Sequence, residues 1–328
     1  MEIQDTVFVV YDFMFKQMPD AHKRARFYDL LQKNGELLLF GSQDFKNGLD
    51  VFHFRQTLNF LKESGKKVHQ IIWNGSEFGC DFFAENLKFY ELEENLVYIE
   101  DGVIPLDKYM SFLNKPINKL QNLGFTKKSD NWFKGDDSYE ESSLKKYILK
   151  RIDEQRPPLT PILKKGKTKK NKICILMQLS HDSNLLNLQD PIVDYPNLIE
   201  KTLKEKYKSN FSNLEIIGCP HPKNPDDAYT YDMSAFKNIQ ASVSPTLAQC
   251  MSAELVIGYN STVLLEAYFK GVSVVALDPN NPLNFLKNEK NDNLLISRIK
   301  ACQFDPSTIS YEDFLIQKAT YLKLTKDS

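Results

Sequence analysis

Cysteine is scarce in this 328-residue sequence, and the five present (Cys80, Cys174, Cys219, Cys250 and Cys302) are odd in number and never form a Cys-x-x-Cys pair. That pattern argues against a disulfide framework or a zinc site and fits a reducing compartment. No apolar run approaches the roughly 20 residues that span a bilayer. No secretory leader is expected, because Met1–Asp5 is acidic where a basic segment is needed and the run Val7–Tyr11 is too short. The expectation is a protein kept in the cytoplasm. Charge of one sign is also lacking: 42 Lys plus Arg stand against 43 Asp plus Glu, a net charge of −1. No global field therefore collects nucleic acid, and any anion site must be local.

Signatures of several familiar chemistries are likewise not found. There is no Gly-rich phosphate loop, no Gly-Lys-Ser/Thr sequence and no nucleophile elbow, which weighs against kinase, ATPase, Rossmann dehydrogenase and α/β-hydrolase readings. No basic stripe interleaved with aromatics offers a platform for single-stranded nucleic acid. His22, His53 and His69 have no partner at metal-ligand spacing. Neither a metal nor a cofactor is expected, and no nucleic-acid partner.

The composition that remains, 42% hydrophobic and 26% charged, is that of a globular protein, and the length exceeds one typical domain. Short apolar runs recur at Val7–Tyr11, Leu37–Phe40, Ile71–Trp73 and Val97–Ile99, then at Ile173–Met177, Glu215–Ile217, Leu255–Ile257 and Val272–Leu277. Segments between them, such as Thr57–Lys62 and Tyr195–Tyr207, carry helical periodicity. The alternation predicts an α/β protein with two doubly wound parallel sheets and right-handed crossovers. The proline-rich stretch Gln155–Pro161 and the lysine-rich Lys164–Lys172 read as the linker, since proline breaks helices and like charges resist packing. The boundary falls near residue 160, giving halves 1–160 and 161–328 with a linker at about 155–172. The lysines are either a solvated connector or a patch that meets anionic headgroups or a polyanionic glycan at the inner face of the plasma membrane.

Ligands of open α/β sheets bind beyond the carboxyl ends of the strands. Four polar stretches stand there, each directly after an apolar run. Glu100-Asp101-Gly102 sets two carboxylates side by side for accepting a proton, with a glycine for close approach, although Asp-Gly is also an ordinary turn. Gln178 to Asn184 holds Asp182, a nucleophile or electrostatic partner for a cationic sugar centre, or else a helix cap. In Gly218-Cys219-Pro220-His221-Pro222-Lys223 two prolines stiffen the backbone about an imidazole, pre-positioning it as a proton or hydrogen-bond donor to a leaving phosphate beside Lys223; a plain surface turn is the alternative. Gly258-Tyr259-Asn260-Ser261-Thr262 leads into a helix-like segment stopped by Gly271, so backbone N–H groups and two hydroxyls converge where the helix dipole favours an anion. The same residues would cap a helix in any protein. Glu266 lies one turn further on.

The order of these motifs resembles that of the bacterial sialyltransferases and the capsule-synthesis Kdo transferases, over roughly residues 70 to 280. Ile71-Ile72-Trp73-Asn74-Gly75 before the acidic motif, Gln178-x-x-x-Asp182, and Asn260-Ser261-Thr262-Val263 with Glu266-Ala267 and Gly271-Val272-Ser273-Val274 tilt the likeness toward the Kdo transferases. Two departures are Leu264, where a glycine is usual, and Asp278-Pro279-Asn280-Asn281-Pro282, where a Gly-Trp-Gly-like stretch is usual. The resemblance implies a GT-B-like fold, two Rossmann-like domains facing across a cleft, and transfer of a 2-keto-3-deoxy acid sugar, Kdo favoured, from a CMP-activated donor to a capsular or lipopolysaccharide glycan or glycolipid. His221, Pro222, Lys223, Asn260, Ser261 and Thr262, with Gln178 and Glu266, would serve the donor. Glu100, Asp101, Gly102 and Trp73 would face the acceptor. Asp182 would be the nucleophile of a retaining reaction. The rival readings are an inverting sialyltransferase using CMP-sialic acid with Asp101 as base, a polyol-phosphate transferase of teichoic type, and a non-catalytic partner in glycan synthesis.

Overall fold

The computed structural model describes residues 5–12, 23–41, 48–73, 80–92, 95–103, 109–113, 146, 149–150, 152, 171–179, 185, 188–208, 213–221, 231, 236, 239–241, 246–279, 281–285 and 289–326. They form two compact units: the first takes the described residues up to 113 and again from Arg298 onward, and the second takes those between 146 and 297. The division therefore differs from the linear halves read from the sequence, because the stretch from Arg298 packs with the first unit.

The first unit runs β1 (Thr6–Tyr11), α1 (Lys23–Gln32), β2 (Glu36–Phe40), α2 (Gly48–Glu63), β3 (Lys67–Trp73), α3 (Cys80–Phe89), β4 (Leu96–Asp101) and β5 (Met110–Leu113). Its sheet has the order β11-β5-β4-β3-β1-β2, in which β2, β1, β3 and β4 are parallel, while β5 pairs antiparallel with both β4 and β11 (Gln303–Phe304). β1 is buried along its whole length, as an apolar run should be in a parallel sheet covered on both faces. Alternate side chains choose the face. Val7, Val9, Tyr11 and Ile72 pack with Phe54, Leu58 and Leu61 of α2 and with Phe83 and Leu87 of α3. On the other face Phe8 stacks on His69 and meets Tyr311 of α8 (Tyr311–Lys326) edge-on, while Phe27 of α1 packs against Phe304 and Phe314. Each such buried side chain contributes about 1.5–3 kcal/mol relative to exposure. A polar tie joins α8 to the sheet: Lys318 Nζ donates to the Asn95 carbonyl at 2.8 Å and lies 3.2 Å from His69 Nδ1.

The second unit runs β6 (Lys172–Leu176), α4 (Pro191–Tyr207), β7 (Glu215–Cys219), β8 (Ile239–Ala241), α5 (Thr246–Ser252), β9 (Leu255–Gly258), α6 (Thr262–Phe269), β10 (Val274–Ala276), a 3-10 turn (Pro282–Phe285) and α7 (Glu289–Cys302), whose end passes into the first unit. Its five parallel strands are ordered β10-β9-β6-β7-β8. The chain lays β7 and β8 to one side of β6, then crosses to the other side for β9 and β10, so the strand order reverses between β6 and β9. Asp190 caps α4 by accepting from Ile192 N at 3.1 Å, and Pro191 occupies the first turn, where its missing N–H costs nothing. Tyr195, Ile199 and Leu203 of α4 cover Ile173, Ile175, Ile216, Leu255 and Ile257.

All eight apolar runs are strands. β5, β8 and β11 were not anticipated, because stretches of 4, 3 and 2 residues are too short to show a period. Residues 153–170, which hold most of the proposed linker and lysine run, lie outside the described residues. Lys172, the last of that run, is buried in β6, where its ammonium donates to Gln249 Oε1 at 2.7 Å and to Ser252 Oγ. It belongs to the interior rather than to a solvated or membrane-facing patch. Among the described residues no helix is long and apolar enough to cross a membrane.

Candidate functional site

In the second unit the parallel sheet brings three of the motifs to one edge. Gln178 comes after β6, His221 after β7, and Asn260 and Ser261 after β9. Since β6 pairs with both β7 and β9, two strand spacings, about 10 Å, separate the strands that lead to His221 and Ser261. Gln178 and the Asn260-Ser261 turn flank the point where strand order reverses, the position at which open α/β sheets hold their ligands.

Fixed groups shape this edge. Beneath Gln178, the Tyr195 hydroxyl donates to the Leu176 carbonyl at 2.6 Å and the Tyr231 hydroxyl to the Gln178 carbonyl at 3.0 Å, which pins the exit of β6. Burial raises the Tyr195 phenol well above its ordinary pKa, so it stays a donor. Ser261 is the N-cap of α6, its Oγ accepting from Val263 N at 3.3 Å. Gly271, at φ +85°, supplies the left-handed residue that ends this helix, with Val272 N bonded back to the Ala267 carbonyl at 3.0 Å. Thr262 is half-buried at the first turn, where N–H groups and the dipole favour an anion.

Two of the sequence-derived residues are tied into the interior. Asn260 does not offer its amide outward: it donates to Asp278, and its Oδ1 accepts from Asn281 Nδ2 at 2.9 Å. Asn281 also donates to the Tyr259 carbonyl at 3.3 Å and accepts from Leu283 N at 3.0 Å, while Asn284 reaches the Asp278 carbonyl at 2.7 Å. Asp278 and Asn281 are thus what fasten the turn after β9. Glu266 is fully buried in α6. It stands near Cys250, whose thiol is pushed well up by its hydrogen bond with Cys174, then by burial, with Glu266 among the smaller contributors. Asp182, Pro222 and Lys223 lie outside the described residues.

In the first unit the acidic motif sits at the corresponding edge, but its two carboxylates part. Glu100 and Asp101 are consecutive in β4, opposite Ser111 and Met110 of β5, and consecutive strand residues point to opposite faces. Asp101 is held by Lys23 of α1, Nζ to Oδ1 at 2.6 Å, and its carbonyl accepts from Ser111 Oγ at 3.0 Å. Gly102 is required by its own chain: a Cβ there would lie 2.5 Å from Tyr109 Cβ, where Gly102 N donates to the Tyr109 carbonyl at 2.7 Å. Close approach is real, yet to backbone. Trp73 ends β3 buried, with the Arg24 guanidinium 3.4 Å from its ring centre.

Asp12, Lys23, Arg24 and Tyr28 were not among the residues expected from the sequence. Arg24 Nη1 contacts both oxygens of Asp12, at 3.1 and 3.3 Å, and the Tyr28 hydroxyl donates to the same carboxylate. Burial, then the Asp12 charge, pushes the Tyr28 phenol well up. The one signal for this cluster in the sequence is the position of Asp12, directly after the apolar run Val7–Tyr11 and so at the carboxyl end of the first strand. Among the described residues no group of three or more His, Cys, Asp or Glu could hold a metal ion.

No protein-family model and no curated protein matches the sequence. Solved structures do match. A beta Kdo 2,7 transferase, KpsC of Thermosulfurimonas dismutans, is similar at 13% identity with a TM-score of 0.53, over 95% of this chain and 98% of that one. A beta Kdo 2,4 transferase, KpsC of the same organism, is similar at 12% identity with a TM-score of 0.55, over 90% of each chain. At such identities the likeness is one of fold, and it extends over nearly the whole chain.

Proposed function

We propose that this chain is a glycosyltransferase that moves a 2-keto-3-deoxy acid sugar, Kdo favoured, from a CMP-activated donor to a capsular or lipopolysaccharide glycan. The observation that carries the reading is the strand order of the second sheet, which gathers Gln178, His221 and the Ser261-Thr262 helix start on one carboxyl edge around the reversal between β6 and β9. Its fold likeness to the two Kdo transferases supports the same choice of chemistry.

In this scheme the N-terminus of α6, Thr262 and His221, joined by Lys223, take the charge that builds on the departing phosphate. Asp182 attacks the anomeric carbon as the C–O bond to CMP breaks, and CMP leaves with the bonding electrons. The acceptor oxygen then displaces Asp182 while Asp101 takes the hydroxyl proton, which retains the anomeric configuration. Glu100, its neighbour in β4, is the alternative base.

The test is thermal unfolding against CMP, UMP, GMP and AMP. A ligand at about 100 times its dissociation constant stabilises by about 2.7 kcal/mol, and CMP should give the largest shift. Incubation with CMP-Kdo and an acceptor glycan should then release CMP. A preference for another base, or intact donor across the panel, sinks the proposal.

A further inference from the structure

We infer that Lys23 is a positioning residue for the acceptor side: it aims the Asp101 carboxylate and keeps it able to accept a proton. The inference rests on the reading of Asp101 as the base and adds the group that holds it.

Lys23 is the first residue of α1 and is 8% exposed, so its ammonium has been drawn out of water to sit 2.6 Å from Asp101 Oδ1. A cation at a helix N-terminus opposes the dipole and is normally disfavoured, and burying it adds a desolvation cost. The placement is understandable if the ion pair serves the carboxylate.

The neighbouring residues fix the geometry. Arg24 is locked between Asp12 and the Trp73 ring, which anchors the start of α1 against the ends of β1 and β3. One residue earlier, Lys23 is left reaching along the same edge to β4. Asp101 is meanwhile fixed in backbone by Ser111 and by the tight crossing at Gly102 and Tyr109. The carboxylate thus has a hydrogen-bonded backbone and a defined ionic contact with Lys23, which is what a base needs in order to meet a hydroxyl at a set distance. An adjacent ammonium also favours the deprotonated form.

The experiment compares the full-length protein with Lys23→Met, Lys23→Arg and Asp101→Asn. Lys23→Met keeps the apolar stem and removes the charge. Transfer should show kcat about tenfold lower on the pH plateau, an acid limb moved to higher pH and an unchanged donor KM, with most of the rate recovered in Lys23→Arg. Independently of turnover, carbon NMR of the Asp101 carboxyl should show it taking up its proton at higher pH in Lys23→Met than in the parent. An Asp101 titration that is the same in both proteins overturns the inference, as does an Asp101→Asn protein with full transfer. If the parent transfers nothing from any CMP-sugar, the proposed reaction fails, while the carboxyl titration still decides whether Lys23 governs Asp101.

Discussion

At the carboxyl edge of the first sheet, the crevice between β1 and β3 is filled by the molecule's own charges: Asp12 and Trp73 end the two strands, and Arg24 is clamped between them. At the same edge of the second sheet, the crevice between β6 and β9 is lined by an amide, hydroxyls and the N-terminus of a helix, with an imidazole on the next strand over. Both sheets obey one topological rule and reverse their order at a strand bearing polar residues. One reversal point holds an Arg24–Asp12 ion pair, and the other stands at a helix start backed by the Asn260, Asp278 and Asn281 network. In the proposed reaction the first unit would hold a carboxylate in position, and the second would take up a phosphate at the helix start.

Breaking the internal pairing of the first edge should have the largest effect. Asp12→Ala removes the carboxylate that holds Arg24 and Tyr28, and leaving a buried charge without its partner costs about 3–5 kcal/mol, measurable by urea denaturation. Replacing Arg24 by Met in the same protein should recover part of that loss, which separates the charge from the packing. At the second edge Asn281→Ala should cost about 1–3 kcal/mol, because it strips the Asn260 Oδ1 and Tyr259 carbonyl of buried donors. It should also weaken CMP binding several-fold, read from the nucleotide-induced shift in melting temperature. If CMP affinity is unchanged, the turn after β9 is scaffolding alone.

A further effect is one of pH, and it should be confined to the first unit. Burial, then the charge of Lys67, lowers the Lys318 pKa to about 7, and burial, then Lys318 and Lys67, lowers that of His69 to about 3. Between about 7 and the ordinary lysine value the unfolded chain holds a proton that folded Lys318 does not. Stability should therefore rise with pH across that window. The same sign applies to His69: its contribution is complete above the ordinary histidine value and is lost as pH falls toward 3. Hydrogen exchange across pH 5 to 9 should show protection in β3 and α8 falling on acidification, with the upper part of the trend abolished in Lys318→Met. Equal loss in β6 and β9 would contradict this assignment.

The long strands were legible because parallel strands covered on both faces must be continuous apolar runs. Val7–Tyr11 and Leu255–Ile257 could scarcely be anything else. Gln178, His221 and Ser261 were legible as polar residues just past the ends of such runs, and the three do share an edge. The short antiparallel β5 and β11 were not legible, since their pairing depends on partners far away in sequence. Glu100 and Asp101 were legible as carboxylates at a strand end, but the Lys23 contact to Asp101 was not, since it joins residues far apart in sequence.

The sequence by itself determined the class of fold, the absence of a membrane-spanning segment among the described helices, and the candidate turns, because hydrophobic periodicity and turn chemistry are local properties. Only the tertiary structure decided that Asn260 is tied to Asp278 and Asn281, that Glu266 and Lys172 are interior, that the chain from Arg298 returns to the first unit, and that Lys23 grips Asp101. Each of these depends on which polar group finds which partner once water has been excluded. That choice is made by distance in the folded chain and not by order along it.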